Sequence, residues 1–194
     1  MVRTPREAKT VILSWIIANM LGVAAVGALG FIPFLTSIHG MLASTLTIGL
    51  PIGLAQWLAL RRVAPISILW VLTVSAGLSL GSVAGPVVAG IWGVADDESV
   101  LTLTTVVTTI GLLVGMVQWL LLRGRLAKSI VWLLSSAAGL GLGTGLVLST
   151  NLINQSGVVA GIVVVAVYAI ATGIVVARSP ALQRKTEGNL INAT

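Results

Sequence analysis

Two glutamines stand at the same place in two copies of one motif. The motif reads G-x-x-x-G-x-x-Q-W-L-x-L-R, and its copies cover residues 49–61 and 111–123. Gln56, Gln118 and a third amide, Asn19, lie in apolar stretches, and each can both donate and accept hydrogen bonds. We interpret them as amides that bond across helix contacts within a membrane. The alternative is that they face a cavity and bind a neutral polar group or the metal of a pigment.

The glycines of the motif share a helix face with the glutamine. At 100° per residue, the two glycines and the glutamine of each copy fall within about 60° of one another. Small residues on an apolar helix let a second helix approach closely, and the same four-residue spacing recurs in two other stretches. We therefore predict a helix-packing role for Gly49, Gly53, Gln56, Gly111, Gly115, Gln118, Gly77, Gly81, Gly139 and Gly143.

The tryptophan and arginine that close both copies are typical of a transmembrane helix end at the membrane–water boundary. Three further tryptophans lie within one or two turns of basic segments. We predict that these residues are interface anchors: Trp15, Trp57, Trp70, Trp119, Trp132, Arg61 and Arg123. The alternative is that some of the tryptophans line a ligand pocket.

The composition indicates a membrane protein. Of 194 residues, 57% are hydrophobic and 8% are charged, against roughly 25% charged in an ordinary soluble domain. The net charge of +6 comes from Lys and Arg that cluster between the apolar runs, so a bilayer explains it without a nucleic-acid partner. The chain has no cysteine, which excludes disulfides and thiolate metal sites.

Six apolar stretches are long enough to cross a bilayer as helices, for which about 20 residues are needed. We expect an all-α integral membrane bundle over residues 10–178, between a cytoplasmic tail at 1–9 and a polar cytoplasmic tail at 179–194. The first stretch is interpreted as a transmembrane span, and the alternative is a cleaved signal peptide. We prefer the span because the stretch is too long for the apolar part of a signal peptide. The predicted spans are 10–31, 40–60, 66–92, 99–122, 129–149 and 157–177.

The charges predict the orientation. With six crossings, all 11 Lys and Arg residues fall on one side of the membrane. The other side receives the loop with His39, the acidic turn at 96–98 and the neutral loop at 149–157. By the positive-inside rule, both termini lie in the cytoplasm, and the bacterial cytoplasmic membrane is the expected location. An odd number of spans would place Arg178 and the C-terminal tail on the wrong side.

The spans pair into hairpins. Spans one, three and five share the spacing W-x6-G near their starts, and spans two and four share the Gln-Trp-Leu-x-Leu-Arg ending. Span six keeps only the closing Arg178. We predict three tandem helical hairpins, arranged as parallel repeats with a degenerate third copy.

Chemically active side chains are missing from the apolar spans. None of them holds an Asp, Glu, Lys, Arg or His within the expected hydrocarbon depth, which argues against proton relays and ion-coupled transport. The chain also lacks a Ser-His-Asp set and a metal-ligand cluster, so we predict no enzyme activity, no cofactor and no metal. The threonines of span four either bond back to their own helix or line a pore.

The doubled motif resembles a group of uncharacterised bacterial multi-span membrane proteins with repeated QWLxLR hairpins. Each copy is followed by Ser-x-x-Trp, at Ser67 and Trp70 and again at Ser129 and Trp132. The resemblance covers residues 49–145 best. It implies a membrane topology and carries over no activity.

Two functions fit these observations. The first is a non-enzymatic scaffold, assembly factor or accessory subunit, whose partners are the lipid bilayer and other membrane subunits or copies of itself. The second is the binding or transport of a neutral or apolar small molecule between the hairpins, with Gln56, Gln118 and Asn19 facing the ligand.

Overall fold

The computed structural model describes residues 4–28, 38–94, 100–123, 129–152 and 156–178. Helices dominate these ranges, which contain no strand, so the predicted all-α fold is confirmed. The acidic turn at 96–98 and the C-terminal tail lie outside the described residues. The six long helices are α1 (Pro5–Ala28), α2 (Ile38–Leu60), α3 (Trp70–Ile91), α4 (Val100–Leu122), α5 (Ser129–Ser149) and α6 (Gly157–Arg178).

Five of the helices are long and apolar enough to cross a membrane within the part of the chain that the structure describes. In α2 the corresponding apolar segment, Ser44–Leu60, is shorter. Large apolar side chains lie exposed on the outside of the bundle, among them Leu21, Leu80 and Ile91. A helical bundle with this surface suits a hydrocarbon surrounding.

The helices form a closed ring. Each helix packs against the next one in the chain, and α6 packs back against α1. Neighbouring helices run antiparallel, as the contacts of Gly77 with Val114 and of Gly85 with Val106 show for α3 and α4. The described basic residues therefore gather at one end of the ring, namely Arg6, Lys9, Arg61, Arg62, Arg123 and Arg178.

Two helix starts differ from the predicted spans for local reasons. Helix α1 begins before residue 10 because Thr4 and Glu7 form a capping box, in which Glu7 Oε2 accepts from Thr4 N at 2.8 Å and Thr4 Oγ1 accepts from Glu7 N at 3.3 Å. Helix α3 begins after residue 66 because a tight turn precedes it. In that turn, Ser67 Oγ accepts from Leu69 N and Ser67 O accepts from Trp70 N.

Candidate functional site

The three predicted amides meet in the interior of the ring. Gln118 Nε2 donates to Gln56 Oε1 at 3.1 Å, and Gln56 Nε2 donates to Asn19 Oδ1 at 2.8 Å. Asn19 Nδ2 in turn donates to the backbone oxygen of Trp15 at 2.8 Å. The amides are buried and form a hydrogen-bonded chain that joins α1, α2 and α4.

Indole groups donate to both glutamines. Trp70 Nε1 donates to Gln56 Oε1 at 3.3 Å, and Trp132 Nε1 donates to Gln118 Oε1 at 2.9 Å. In each case the tryptophan begins or nearly begins the helix that follows the motif. The Trp132 ring also packs edge-on against Trp70, with ring centroids 5.7 Å apart, and against Trp15 at 5.5 Å. We call these three tryptophans and three amides the central cluster.

A third contact of the same kind joins the last helix to the first. Trp15 Nε1 donates to Thr172 Oγ1 at 2.9 Å, and Thr172 Oγ1 donates to the backbone oxygen of Tyr168 at 2.8 Å. Tyr168 extends the cluster, because its hydroxyl donates to Gln118 Oε1 at 3.4 Å. An indole on an odd-numbered helix thus bonds a polar side chain on the preceding even-numbered helix at each of three places around the ring.

Neither Tyr168 nor Thr172 was predicted from the sequence. A usable signal was present, because Thr172 stands next to Gly173, which aligns with the glutamine of the motif when Arg178 is placed on its closing arginine. Read in this way, α6 carries a hydroxyl close to where α2 and α4 carry an amide.

The central cluster is suited to holding helices together. The side-chain oxygens of Gln56 and Gln118 each accept two hydrogen bonds, and these bonds come from the chain itself. The cluster contains no carboxylate, histidine or amine, so it offers no acid–base pair at neutral pH. Among the described residues, no group of His, Cys, Asp and Glu could hold a metal ion.

Glycines on the odd-numbered helices contact the even-numbered helix that follows. A Cβ atom placed on Gly81 would lie 2.6 Å from Ile110 Cα, and one on Gly77 would overlap the backbone of Val114. On α5, Gly139 and Gly143 face Tyr168 and Val164 of α6 in the same way, and on α1 Gly22 faces Ile52 of α2. Side chains at these positions would force the helices apart.

Glycines of the doubled motif contact the next odd-numbered helix. Gly49 and Gly53 lie against the α3 backbone at Ser75 and Val71. In the second copy, Gly111 and Gly115 both lie against Ser136 of α5. The glycine faces of both motif copies are therefore occupied within the chain.

The anchor prediction needs a correction for three tryptophans. Trp15 is 1% exposed, and Trp70 and Trp132 are 0% exposed. Such buried rings have no surface with which to contact lipid headgroups, so they do not act as interface anchors. Their indole N–H groups find buried acceptors, and this makes an inward orientation favourable even close to the basic end of the bundle.

The other predicted anchors lie at the basic ends of α2 and α4. Trp57 Nε1 donates to the backbone oxygen of Ile66 at 3.2 Å, and Trp119 Nε1 donates to Ser129 Oγ at 3.1 Å. The guanidinium of Arg61 lies 4.8 Å from the centre of the Trp57 ring. The corresponding pair of Arg123 and Trp119 is separated by 6.0 Å. These rings are half-buried, and the two arginines are exposed.

A groove lined by small residues opens on the outside of the ring between α4 and α5. Its volume is about 610 Å³, and Thr104 and Thr108 form its α4 side. Thr104 Oγ1 is buried and has no hydrogen-bond partner among the described residues. A Cβ atom placed on Gly145 would lie 3.8 Å from Thr104 Oγ1, the nearest atom of the neighbouring helix. Gly145 is therefore less tightly packed than the glycines of the motif. The α5 side is formed by Ala137, Ala138, Gly141, Leu142, Gly145 and Leu146.

Comparisons with family models, with curated proteins and with solved structures find no match to this chain. Its function must therefore be argued from its own geometry.

Proposed function

We propose that the protein is a non-enzymatic membrane scaffold, assembly factor or accessory subunit that binds a transmembrane helix of another subunit in the groove between α4 and α5. It would do so in a bacterial cytoplasmic membrane, with both termini in the cytoplasm. The observation that carries the proposal is the outward-facing groove of small residues between these two helices, with exposed leucines at its rim.

The interior supports a structural role. The amides of the central cluster bond to one another and to indole groups, so the strongest polar groups inside the ring hold helices together. The motif glycines are also occupied inside the chain. A surface for partners must therefore lie on the outside of the ring.

The groove has the properties of a helix-docking surface. Ala138, which is exposed, and Gly145 lie on the α5 side and leave room for the backbone of another helix, whereas Gly141 is occupied by Thr108 of α4. Leu142 and Leu146, exposed beside the small residues, supply apolar contact area at the rim.

Binding of a small neutral molecule by the paired glutamines is less well supported. Both side-chain oxygens of Gln56 and Gln118 already accept two hydrogen bonds each. A ligand would have to break bonds that are made in a low-dielectric interior, where unpaired polar groups are costly.

Site-specific photo-crosslinking in native membranes tests the proposal. A photoreactive residue at Ala138, in the groove, is expected to yield a crosslinked product with one membrane protein of defined mass. The same residue at Ala76, exposed on α3 and outside the groove, is the matched control and is expected to give none. A product with a second copy of this chain would identify a homo-oligomer.

A substitution that fills the groove distinguishes docking from chance proximity. Gly145→Leu is expected to abolish the product formed at Ala138, because the new side chain occupies the space of the incoming helix. Gly161→Leu is the control, since Gly161 is exposed and no neighbouring atom lies within 4 Å of a side chain there. If neither position yields a product, or if Gly145→Leu leaves it unchanged, the proposed docking role is wrong.

A further inference from the structure

Two cavities near the basic end of α1 and α2 converge on the same residues. The larger one is a groove of about 520 Å³ between α1 and α2, on the outside of the ring. The smaller one, of about 220 Å³, extends from it toward α6 and reaches Val176. Ser14, Ala59 and Arg62 line both.

The larger groove has the length of one lipid leaflet. It extends along α1 from Ser14 to Ala25, which is about 16 Å at 1.5 Å per residue. Half of a hydrocarbon core about 30 Å thick is of the same size. Ile17 and Leu21, which line the groove, are more than half exposed, so it opens to the surrounding lipid.

The end of the groove is positively charged. Arg62 is exposed and forms no ion pair with any residue that the structure describes. Ser14 and Thr10 line the smaller cavity together with Arg62. Arg6 lies one helical turn from Thr10, whose hydroxyl donates to the backbone oxygen of Arg6 at 3.1 Å. A basic pocket next to a transmembrane groove is suited to an anionic headgroup.

The other two hairpins lack these polar residues. Ser14 precedes Trp15, and the residues that precede the corresponding tryptophans are Leu69 and Val131. Arg62 follows the closing arginine of the first motif copy, where the second copy has Gly124. The polar groups are thus specific to the first hairpin and are not required by the shared motif.

We propose that this groove binds one anionic phospholipid. One of its two acyl chains lies between α1 and α2 against Leu21 and Leu54, and its phosphate lies at Arg62 and Ser14. The lipid belongs to the leaflet on the basic side of the protein. This inference does not depend on the partner helix proposed for the groove between α4 and α5.

Native mass spectrometry of the full chain in detergent tests the inference. The protein is incubated with equal amounts of phosphatidylglycerol and phosphatidylcholine, and one phosphatidylglycerol is expected to be retained preferentially. Arg62→Gln is expected to lower this preference about fivefold. One cation near an anionic lipid surface contributes about 1 kcal/mol, which corresponds to a change in affinity of that size. Arg61→Gln is the matched control, because Arg61 is the adjacent exposed arginine and lines neither cavity.

A second pair of variants tests the acyl chain. Ala55→Phe fills the larger groove and is expected to reduce retention of both lipids, whereas Ala76→Phe, on an exposed face of α3, is expected to have no effect. Soluble glycerol phosphate is not expected to compete. Competition by it would show a site for free anions and overturn the lipid assignment, as would equal losses in the two arginine variants or unchanged retention in Ala55→Phe.

Discussion

Gln118 donates a hydrogen bond to Gln56 at 3.1 Å, so the same position of two motif copies is joined directly inside the ring. Each glutamine also accepts from a tryptophan 14 residues further along the chain. One motif therefore supplies both the contact between hairpins and the contact to the next helix. Removing Gln56 leaves the Trp70 indole and the Gln118 amide without their acceptor. Removing Gln118 does the same to the Trp132 indole and the Tyr168 hydroxyl.

We expect Gln56→Leu and Gln118→Leu each to lower the stability of the bundle by about 1 to 3 kcal/mol, because each leaves buried donors unpaired. The loss of stability in the double variant is expected to be about 1 kcal/mol smaller than the sum of the two single losses. The reason is that the bond between the glutamines is lost only once. Thermal unfolding of the detergent-purified protein measures these differences. Met116→Leu, on an exposed position of α4, is the control. Strict additivity would show that the two glutamines act independently.

Gly77 and Gly161 differ in what surrounds them, although both lie in apolar helices. A methyl group on Gly77 would overlap the Val114 backbone, whereas one on Gly161 would meet nothing within 4 Å. We expect Gly77→Ala to destabilise the fold by about 1 to 3 kcal/mol through overpacking. Gly161→Ala is expected to be neutral or to stabilise by up to about 1 kcal/mol through helix propensity. Unfolding in detergent compares them, and equal effects would argue against close packing at Gly77.

The helices were predictable from the sequence because hydrocarbon thickness sets their length. A stretch of about 20 apolar residues indicates a helix that crosses the membrane. The structure has a helix over each of the six stretches. The contact between α1 and α6 was not predicted. Trp15 and Thr172 are 157 residues apart, and Thr172 lies one position away from the place that aligns with the motif glutamine. The three-hairpin repeat stays a prediction, which the three indole contacts support.

The orientation of the tryptophans could not be read from the sequence. A tryptophan near a basic loop fits an outward anchor and an inward core residue equally well, because apolar residues surround it on both the outward and the inward face of its helix. The direction depends on where an acceptor lies. Trp132 turns inward to Gln118, while Trp119, next to that same glutamine, bonds to Ser129, the first residue of α5. The direction of each tryptophan ring can therefore be assigned only from the assembled bundle.

Quenching by brominated lipids is expected to separate buried from exposed tryptophans. Trp92 is 73% exposed, whereas Trp132 is 0% exposed. In brominated bilayers, Trp92→Phe is therefore expected to remove more of the quenchable fluorescence than Trp132→Phe does. Size-exclusion chromatography confirms that both variants stay folded. If Trp132→Phe removes the larger share, Trp132 faces lipid and is an interface anchor after all.

Cysteine labelling is expected to establish the orientation of the ring. The chain has no native cysteine, so single substitutions can be read without background. Pro65 and Thr150 are both exposed and lie at opposite ends of the bundle. Since the described basic residues gather at the Pro65 end, the positive-inside rule predicts that this end faces the cytoplasm. In intact cells, a membrane-impermeant maleimide should label Thr150→Cys at once and Pro65→Cys only after permeabilisation. Labelling of both in intact cells would show that they share a side, which the three crossings between them, α3, α4 and α5, do not allow.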